Sequence, residues 1–454
     1  MIYDISIVGD GVVGCLTTLH LSDNYPKKKI LFFSPNKFGG ASRAAGAMLN
    51  VFGEVDYGFE FDDYQKKKII LGIEAQKNWE LIFKKYPSLK KSKTANDTIV
   101  YCKKNSTDLE KNCFKEIKNY QNKLKKNFQD FSKIKTIAKN LEVNALYTFI
   151  KGEGAIDTRI FFKNILMLLK RKKNITFIDS EVKKILSKNK AFQLSTKNKN
   201  FKSSKVVIAC GAFSKNILGY LAKDIQKNYF GIGTALEIKS NNLNNIIPKN
   251  TVLRTPNRGS TCGIHLVPRK EGEFYLGAGS NISNDPILFP RLGTVEYLIT
   301  SFKNEISKDF DKSLVKPVIG YRPMSMDGKP LIGPLKNNKN IFFVSGTKRD
   351  GLTYSPIIAK SISAWLNGES LENDYFYDWS PDREPISYGD TEFAIKAYVS
   401  NKIAGLIEHE ILKKSVHKVK RELEDEAYKF HKQKIMKFNL TKNFGIHPEV
   451  LNIN

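Results

Sequence analysis

The sequence predicts an α/β fold joined to a second unit built on an antiparallel sheet, and three observations support it. A strand, a glycine-rich turn, a helix and another strand follow one another within residues 5–33. Short apolar runs alternate with polar residues across 225–320, the period of half-buried strands. An apolar run at 341–344, a turn containing glycine and a helical pattern ending at 366 then return the chain to α/β character.

Taken in chain order, residues 5–8 form the first strand, 9–14 the glycine turn, 15–21 a helix and 30–33 the second strand. This is the opening βαβ of a parallel sheet, and it assigns 1–89 to a first domain. Residues 90–145 are rich in lysine and carry Leu109, Phe114, Ile117, Tyr120, Leu124 and Phe128 at helical spacing, which predicts a helical insertion. A new start at 152–157, a helix to 169 and strands at 175–178 and 205–209 make 146–224 the second piece of the first domain. The runs 230–238, 263–268 and 273–277 place the antiparallel sheet in 225–319, and 320–378 closes the first domain as its third piece. A charged, helix-favouring extension fills 379–454, and no repeat of solenoid length is present.

A chain of 454 residues with 41% apolar content has enough material for two or three units with real cores. No window reaches the ~18 uninterrupted apolar residues of a membrane span. The first residues enter a strand pattern without a basic segment, apolar run or cleavage site ahead of it, so a cytoplasmic protein is expected. Cys15, Cys102, Cys113, Cys210 and Cys262 are widely spaced and odd in number, which predicts reduced thiols rather than a disulfide frame or metal site. His20, His409, His417, His431 and His447 show no metal-ligand spacing and are expected on solvated helix faces. The net charge of +28 is spread over nearly every loop and helix face, which argues for a solvated basic surface rather than a nucleic-acid stripe.

Gly9, Gly11 and Gly14 fit GxGxxG between a strand and a helix, with Val12 and Val13 opening the helix. Such glycines permit a tight turn and a close approach of backbone to a pyrophosphate, which the helix N-terminus then attracts. Strands of this kind usually end their second member in Asp or Glu for the ribose hydroxyls, whereas this chain has Ser34, a hydroxyl without charge-assisted strength. After it comes Gly39-Gly40-Ala41-Ser42-Arg43-Ala44-Ala45-Gly46-Ala47-Met48-Leu49. Further along lie Asp179-Ser180-Glu181-Val182, then Val206-Val207-Ile208-Ala209-Cys210-Gly211-Ala212-Phe213-Ser214. Residues 320–333 read GYRPMSMDGKPLIG and 346–356 read GTKRDGLTYSP.

In this order the five stretches resemble the D-amino-acid oxidase, glycine oxidase and sarcosine oxidase family over residues 1 to 370. The resemblance implies a Rossmann-like FAD domain, a substrate domain on the antiparallel sheet and non-covalent FAD. It places Ser42 and Arg43 by the phosphates, Ala47 and Met48 beside the flavin, Val182 at the adenine and Gly211 where the nucleotide domain closes. It sets Arg349, Asp350, Gly351, Leu352 and Thr353 under the pyrimidine side of the flavin, where the main-chain N–H groups of 351–353 meet negative charge developing at N1 and O2.

The same resemblance gives Arg322 the substrate carboxylate, the alternative being a structural salt-bridge arginine at a strand end. His265 stands where glycine oxidases carry a Tyr, so the substrate is not expected to be plain glycine. The imidazole is a hydrogen-bond donor, a proton acceptor from the amine or a packed residue. Oxidation of the C–N bond of a small amine or amino acid by hydride transfer to flavin is the leading expectation. Two alternatives stay open: a flavin dehydrogenase of a 2-hydroxy acid, in which His265 must act as base, and a tRNA-modifying flavin oxidoreductase.

Overall fold

The computed structural model describes the chain except for residues 36–39, 57–62, 142, 189–190, 216, 241, 260–261, 271, 309–312, 372–373, 413–415, 452 and 454. Two large sheets organise it. The first has eight strands, and β1 (Ile2–Val8) lies inside it between Asn200–Ile208 and β2 (Ile30–Phe33), parallel to both. Asn338–Ser345 and Ile175–Ile178 extend the parallel run on either side. Strands covered on both faces have no reason to alternate, and β2 is accordingly ILFF with all four side chains buried. On one face, α1 (Val12–Asn24) and the helix Gly351–Leu366 pack together over Ile5, Ile7, Val207 and Phe342.

The second sheet has seven strands in the order Leu314–Ser325, Asn228–Lys239, Glu273–Ser283, His265–Pro268, Thr251–Arg254, Asp97–Lys103 and Ala145–Ile150. Its neighbours are antiparallel except where Thr251–Arg254 runs parallel to Asp97–Lys103. Two sequence-based boundaries shift here. The segment expected to be a helical insertion does form helices Asp108–Lys123 and Phe131–Asn140, yet it also supplies the strand Asp97–Lys103. Helical periodicity hid that strand, because DTIVYCK is short and buried through its middle and so carries no alternation. The strand Leu314–Ser325, including 320–325, pairs along its length with Asn228–Lys239 and belongs to the antiparallel sheet.

The helix that ends at Leu366 starts at Gly351, with Pro356 inside it. A proline leaves the carbonyl four residues earlier without its helical donor. Here that carbonyl, on Leu352, accepts from Ser355 Oγ at 2.7 Å and from the indole Nε1 of Trp79 at 3.3 Å. Trp79 comes from the long helix Asp63–Lys85 and also donates to Thr353 O at 3.1 Å, so a buried side chain from another helix stabilises the irregular first turns.

The extension forms helices Thr391–Glu408, Val416–Lys437 and Pro448–Leu451, with a small core of Ile395, Tyr398, Val399, Ala427, Ile446 and Leu451. The expectation that its histidines sit on solvated faces fails for three of them. His431 and His447 are buried, and the ring of His409 stacks 4.4 Å from that of Tyr297; only His417 of this group is exposed. Charge density in the sequence concealed the apolar positions that turn these helices inward.

His447 lies against Gly328, and burial first, then the ammonium of Lys348, hold its imidazole down to about 3 from an ordinary 6.5. Between those values the unfolded chain binds a proton that the folded protein refuses. Stability from this group is therefore complete above the unfolded value and is lost as pH falls toward the folded one. Urea midpoints measured from about pH 7 to about pH 5 should fall more steeply for the wild type than for His447→Gln. Equal slopes would mean that the ring titrates alike in both states.

Candidate active site

A cavity of about 340 Å³ opens beyond the C-terminal ends of the parallel strands and reaches the face of the antiparallel sheet. Two helix N-termini border it, that of α1 at Gly11–Val13 and that of the other helix at Gly351–Thr353. Neither helix has an acidic residue in its first turn, and the carboxylates that stand just ahead of the two starts, Asp10 and Asp350, are met by Arg43 and Lys68. Gly9 has φ +116°, and a Cβ on it would strike the carbonyl of Ala209, just past the end of the neighbouring strand. Gly14 is required one turn later, where a Cβ would run into the carbonyl of Gly9. These contacts give the GxGxxG pattern its physical reason in this chain.

Of the residues expected to hold a cofactor, Gly9, Gly11, Val12, Val13, Ser42, Arg43, Ala47, Met48, Val182, Gly211, Arg349, Asp350, Gly351, Leu352 and Thr353 line this cavity. Gly14 and Ser34 do not. Gly39 lies outside the described residues. Ser42 Oγ accepts from the Val12 N–H at 3.2 Å and so fixes the loop 41–48 to the start of α1. Arg43 reaches back to Asp10 at 2.8 Å, with its guanidinium 4.4 Å above the Phe162 ring. Ser34 stands behind the cavity wall and donates to Asp10 Oδ2 at 3.1 Å.

The other end of the cavity is built from the antiparallel sheet. Arg322 projects from Leu314–Ser325, where Nη2 donates to Ser280 Oγ at 2.7 Å and Nη1 lies 3.9 Å from Cys262 Sγ. Gly231 on the paired strand leaves room for it, since a Cβ there would meet Arg322 Cβ at 3.2 Å. His265 lies opposite Arg254 and Gly277 on its neighbouring strands, and its ring stacks on Tyr275 at 5.9 Å. The Tyr275 hydroxyl donates to Ala44 O at 3.0 Å. Gly46 lets the loop pass this pair, because a Cβ at that position would sit 2.8 Å from the Tyr275 ring. Burial first, then Arg254, lower His265 to about 3, so its imidazole is neutral near neutral pH.

Several residues of this end carry no motif and were not expected from the sequence. Glu54 is buried, receives Arg254 at 2.8 Å and pairs with Arg349 at 3.3 Å. Burial alone would raise its carboxyl, but Arg254, Arg349 and Lys68 outweigh that and hold it near about 2. Asn257 Oδ1 accepts from both arginines, at 3.1 Å and 3.2 Å. Glu153 accepts from the N–H groups of Val51 and Gly53 at 2.9 Å and 3.1 Å, shaping the turn that presents Glu54. The only signal in the sequence was the presence of charged residues inside otherwise apolar runs.

The lining of the cavity fits a dinucleotide. One helix N-terminus and Ser42 suit a pyrophosphate, the residues 44–47 on the wall are all small, and the second helix N-terminus suits an electron-poor ring that gains negative charge. Among the described residues no group of side chains could hold a metal ion. No helix among them is long and apolar enough to cross a membrane.

Comparison with known proteins agrees with this geometry. The glycine oxidase of Bacillus subtilis is 28% identical over 120 residues, 26% of this chain and 32% of that protein, so the match spans about a third of the relative's length. A tRNA 5-methylaminomethyl-2-thiouridine biosynthesis bifunctional protein from Polaromonas naphthalenivorans is 27% identical over 124 residues, 26% of this chain and 19% of its own. The crystal structure of glycine oxidase from Geobacillus kaustophilus superposes with a TM-score of 0.69 at 18% identity, covering 84% of this chain and 99% of that one. The family described as FAD dependent oxidoreductase matches residues 4–365, and the chain belongs to it.

Proposed function

We propose that the protein oxidises the C–N bond of a small amine or amino acid that carries a carboxylate, with non-covalently bound FAD. The observation that carries this reading is Arg322. Its guanidinium lies half-buried on the wall of the cavity that Ala47, Met48 and the Gly351 helix start also line, braced by Ser280 and Gly279 O. Bound FAD supplies an acceptor for a hydride from the substrate Cα–H. Arg322 offers two parallel donors to a carboxylate and thereby fixes the Cα–H at one angle. Neutral His265 beside it donates or accepts one hydrogen bond at little electrostatic cost, and the Gly351–Thr353 N–H groups face charge that develops on the far side.

A 2-hydroxy acid would need a base for its hydroxyl proton. An imidazole held down to about 3 is a weak one. An amine bound neutral has no such need, which favours the C–N reading. The relative from Polaromonas favours a second reading, a substrate attached to tRNA, with which the net charge of +28 is compatible. On that reading tRNA binding would weaken steeply with salt and exceed binding of bulk RNA. The five free cysteines support a reducing, cytoplasmic setting.

Purified protein should be yellow and release its colour on acid precipitation, because the flavin is held without a covalent bond. Colour remaining on the denatured chain would refute that. Anaerobic bleaching across amines, amino acids and hydroxy acids identifies the substrate. With that substrate Arg322→Ala should keep FAD and lose on the order of 30- to 1000-fold in kcat/KM, with Arg322→Lys recovering part. In the same assay His265→Phe should keep measurable turnover. Wild-type efficiency in Arg322→Ala would remove the carboxylate anchor, and complete loss in His265→Phe would favour the hydroxy acid.

A further inference from the structure

We propose that Asp10, inside the glycine turn, makes the adenosine-ribose contact that the end of β2 does not supply. The proposal rests on FAD as the cofactor. In nucleotide-binding sheets of this kind a carboxylate at the end of the second strand accepts from the ribose hydroxyls. Here the residue that follows β2 is Ser34, only 2% exposed and behind the cavity wall. Its hydroxyl hydrogen points to Asp10 Oδ2 at 3.1 Å, so Ser34 spends its donor on Asp10 instead of presenting a charge to the cofactor. Asp10 itself lines the cavity. The carboxylate has in effect moved from the strand end to the turn beside it.

A carboxylate in that turn carries an electrostatic penalty. The turn and the α1 N-terminus are built to receive an anion, and like charges at short range repel. Arg43 answers this penalty, with its Nη2 2.8 Å from the same Oδ2 and its guanidinium held over Phe162. Ser34, Asp10 and Arg43 thus form a set in which the negative charge is retained as an acceptor and its field at the phosphates is offset. A carboxylate accepts several hydrogen bonds at once, so holding Ser34 and Arg43 is compatible with a ribose hydroxyl.

The test uses apoprotein freed of flavin and fluorescence titration with two ligands, FAD and an FAD analogue lacking the adenosine-ribose hydroxyls. Wild type should prefer FAD by about 10-fold or more, the range of a charge-assisted hydrogen bond. Asp10→Asn should cut that preference to about 2-fold by weakening FAD and leaving the analogue nearly unchanged. In the Asp10→Asn background Ser34→Glu should restore it, whereas Ser34→Glu alone should weaken FAD by setting two carboxylates side by side. The single Ser34→Glu variant also carries the test if Asp10→Asn does not fold. An unchanged preference in Asp10→Asn, an equal loss for both ligands without rescue, or tighter FAD in Ser34→Glu alone would overturn the assignment. Wild-type apoprotein that bound neither ligand would overturn the flavin reading, and the assignment with it.

Discussion

Three segments remote in sequence meet on the carboxylate of Glu54, and the antiparallel-sheet end of the cavity takes its shape from that meeting. Glu54 comes from the loop after β2, Arg254 from the antiparallel sheet and Arg349 from the turn ahead of the Gly351 helix. Arg254 has no exposed surface at all. Charges taken so far out of water are costly alone and tolerable only when each donor finds its acceptor. Arg254 does so through Glu54, Asn257 Oδ1 and the carbonyls of Thr255 and Cys262. Such a cluster adds little net stability compared with apolar packing. It does penalise any arrangement in which one segment is displaced, and so it holds the parallel-sheet and antiparallel-sheet walls in register around the cavity.

The second organising feature is the convergence of two helix starts on one space. α1 and the Gly351 helix pack side by side, so their dipoles point the same way and both positive ends reach the cavity. One is anchored by Ser42 and the other by Trp79, whose indole reaches the carbonyls that the irregular turn around Pro356 leaves open. Preorganised donors of this kind need no rearrangement when charge appears opposite them. Remote packing in the helix Asp63–Lys85 is thereby coupled to the electrostatics of the site.

Residues beyond the family match extend this frame. Glu449 pairs with Lys348 at 2.5 Å, Val450 packs among Tyr229, Met324 and Met326, and Glu408 accepts from the Gly259 N–H at 3.1 Å. Lys348 lines the cavity, as does Cys262, three residues after Gly259 in sequence. The extension therefore braces two walls of the cavity from outside. Burial raises the Glu408 carboxyl to about 7 against the pull of Arg258, so this brace includes a group that titrates near neutral pH.

Local rules acting on sequence alone determined the opening strand, turn and helix, the period-two pattern of the second sheet and the order of the glycine-bearing stretches. Close backbone approach demands glycine at fixed positions whatever surrounds them, which is why Gly9, Gly14 and the 351 turn were legible. Arg322 and His265 were legible only through their place in a familiar pattern, and the structure brings both to one end of one cavity. Only the tertiary structure decided that Ser34 faces Asp10 rather than the cavity, that the 90–145 segment supplies a sheet strand, and that charged helices of the extension bury two histidines. Each depends on what lies opposite a residue across more than 20 positions of chain. Pairing partners, and the desolvation that makes Glu54 and Arg254 matter, exist only once those distant segments have come together.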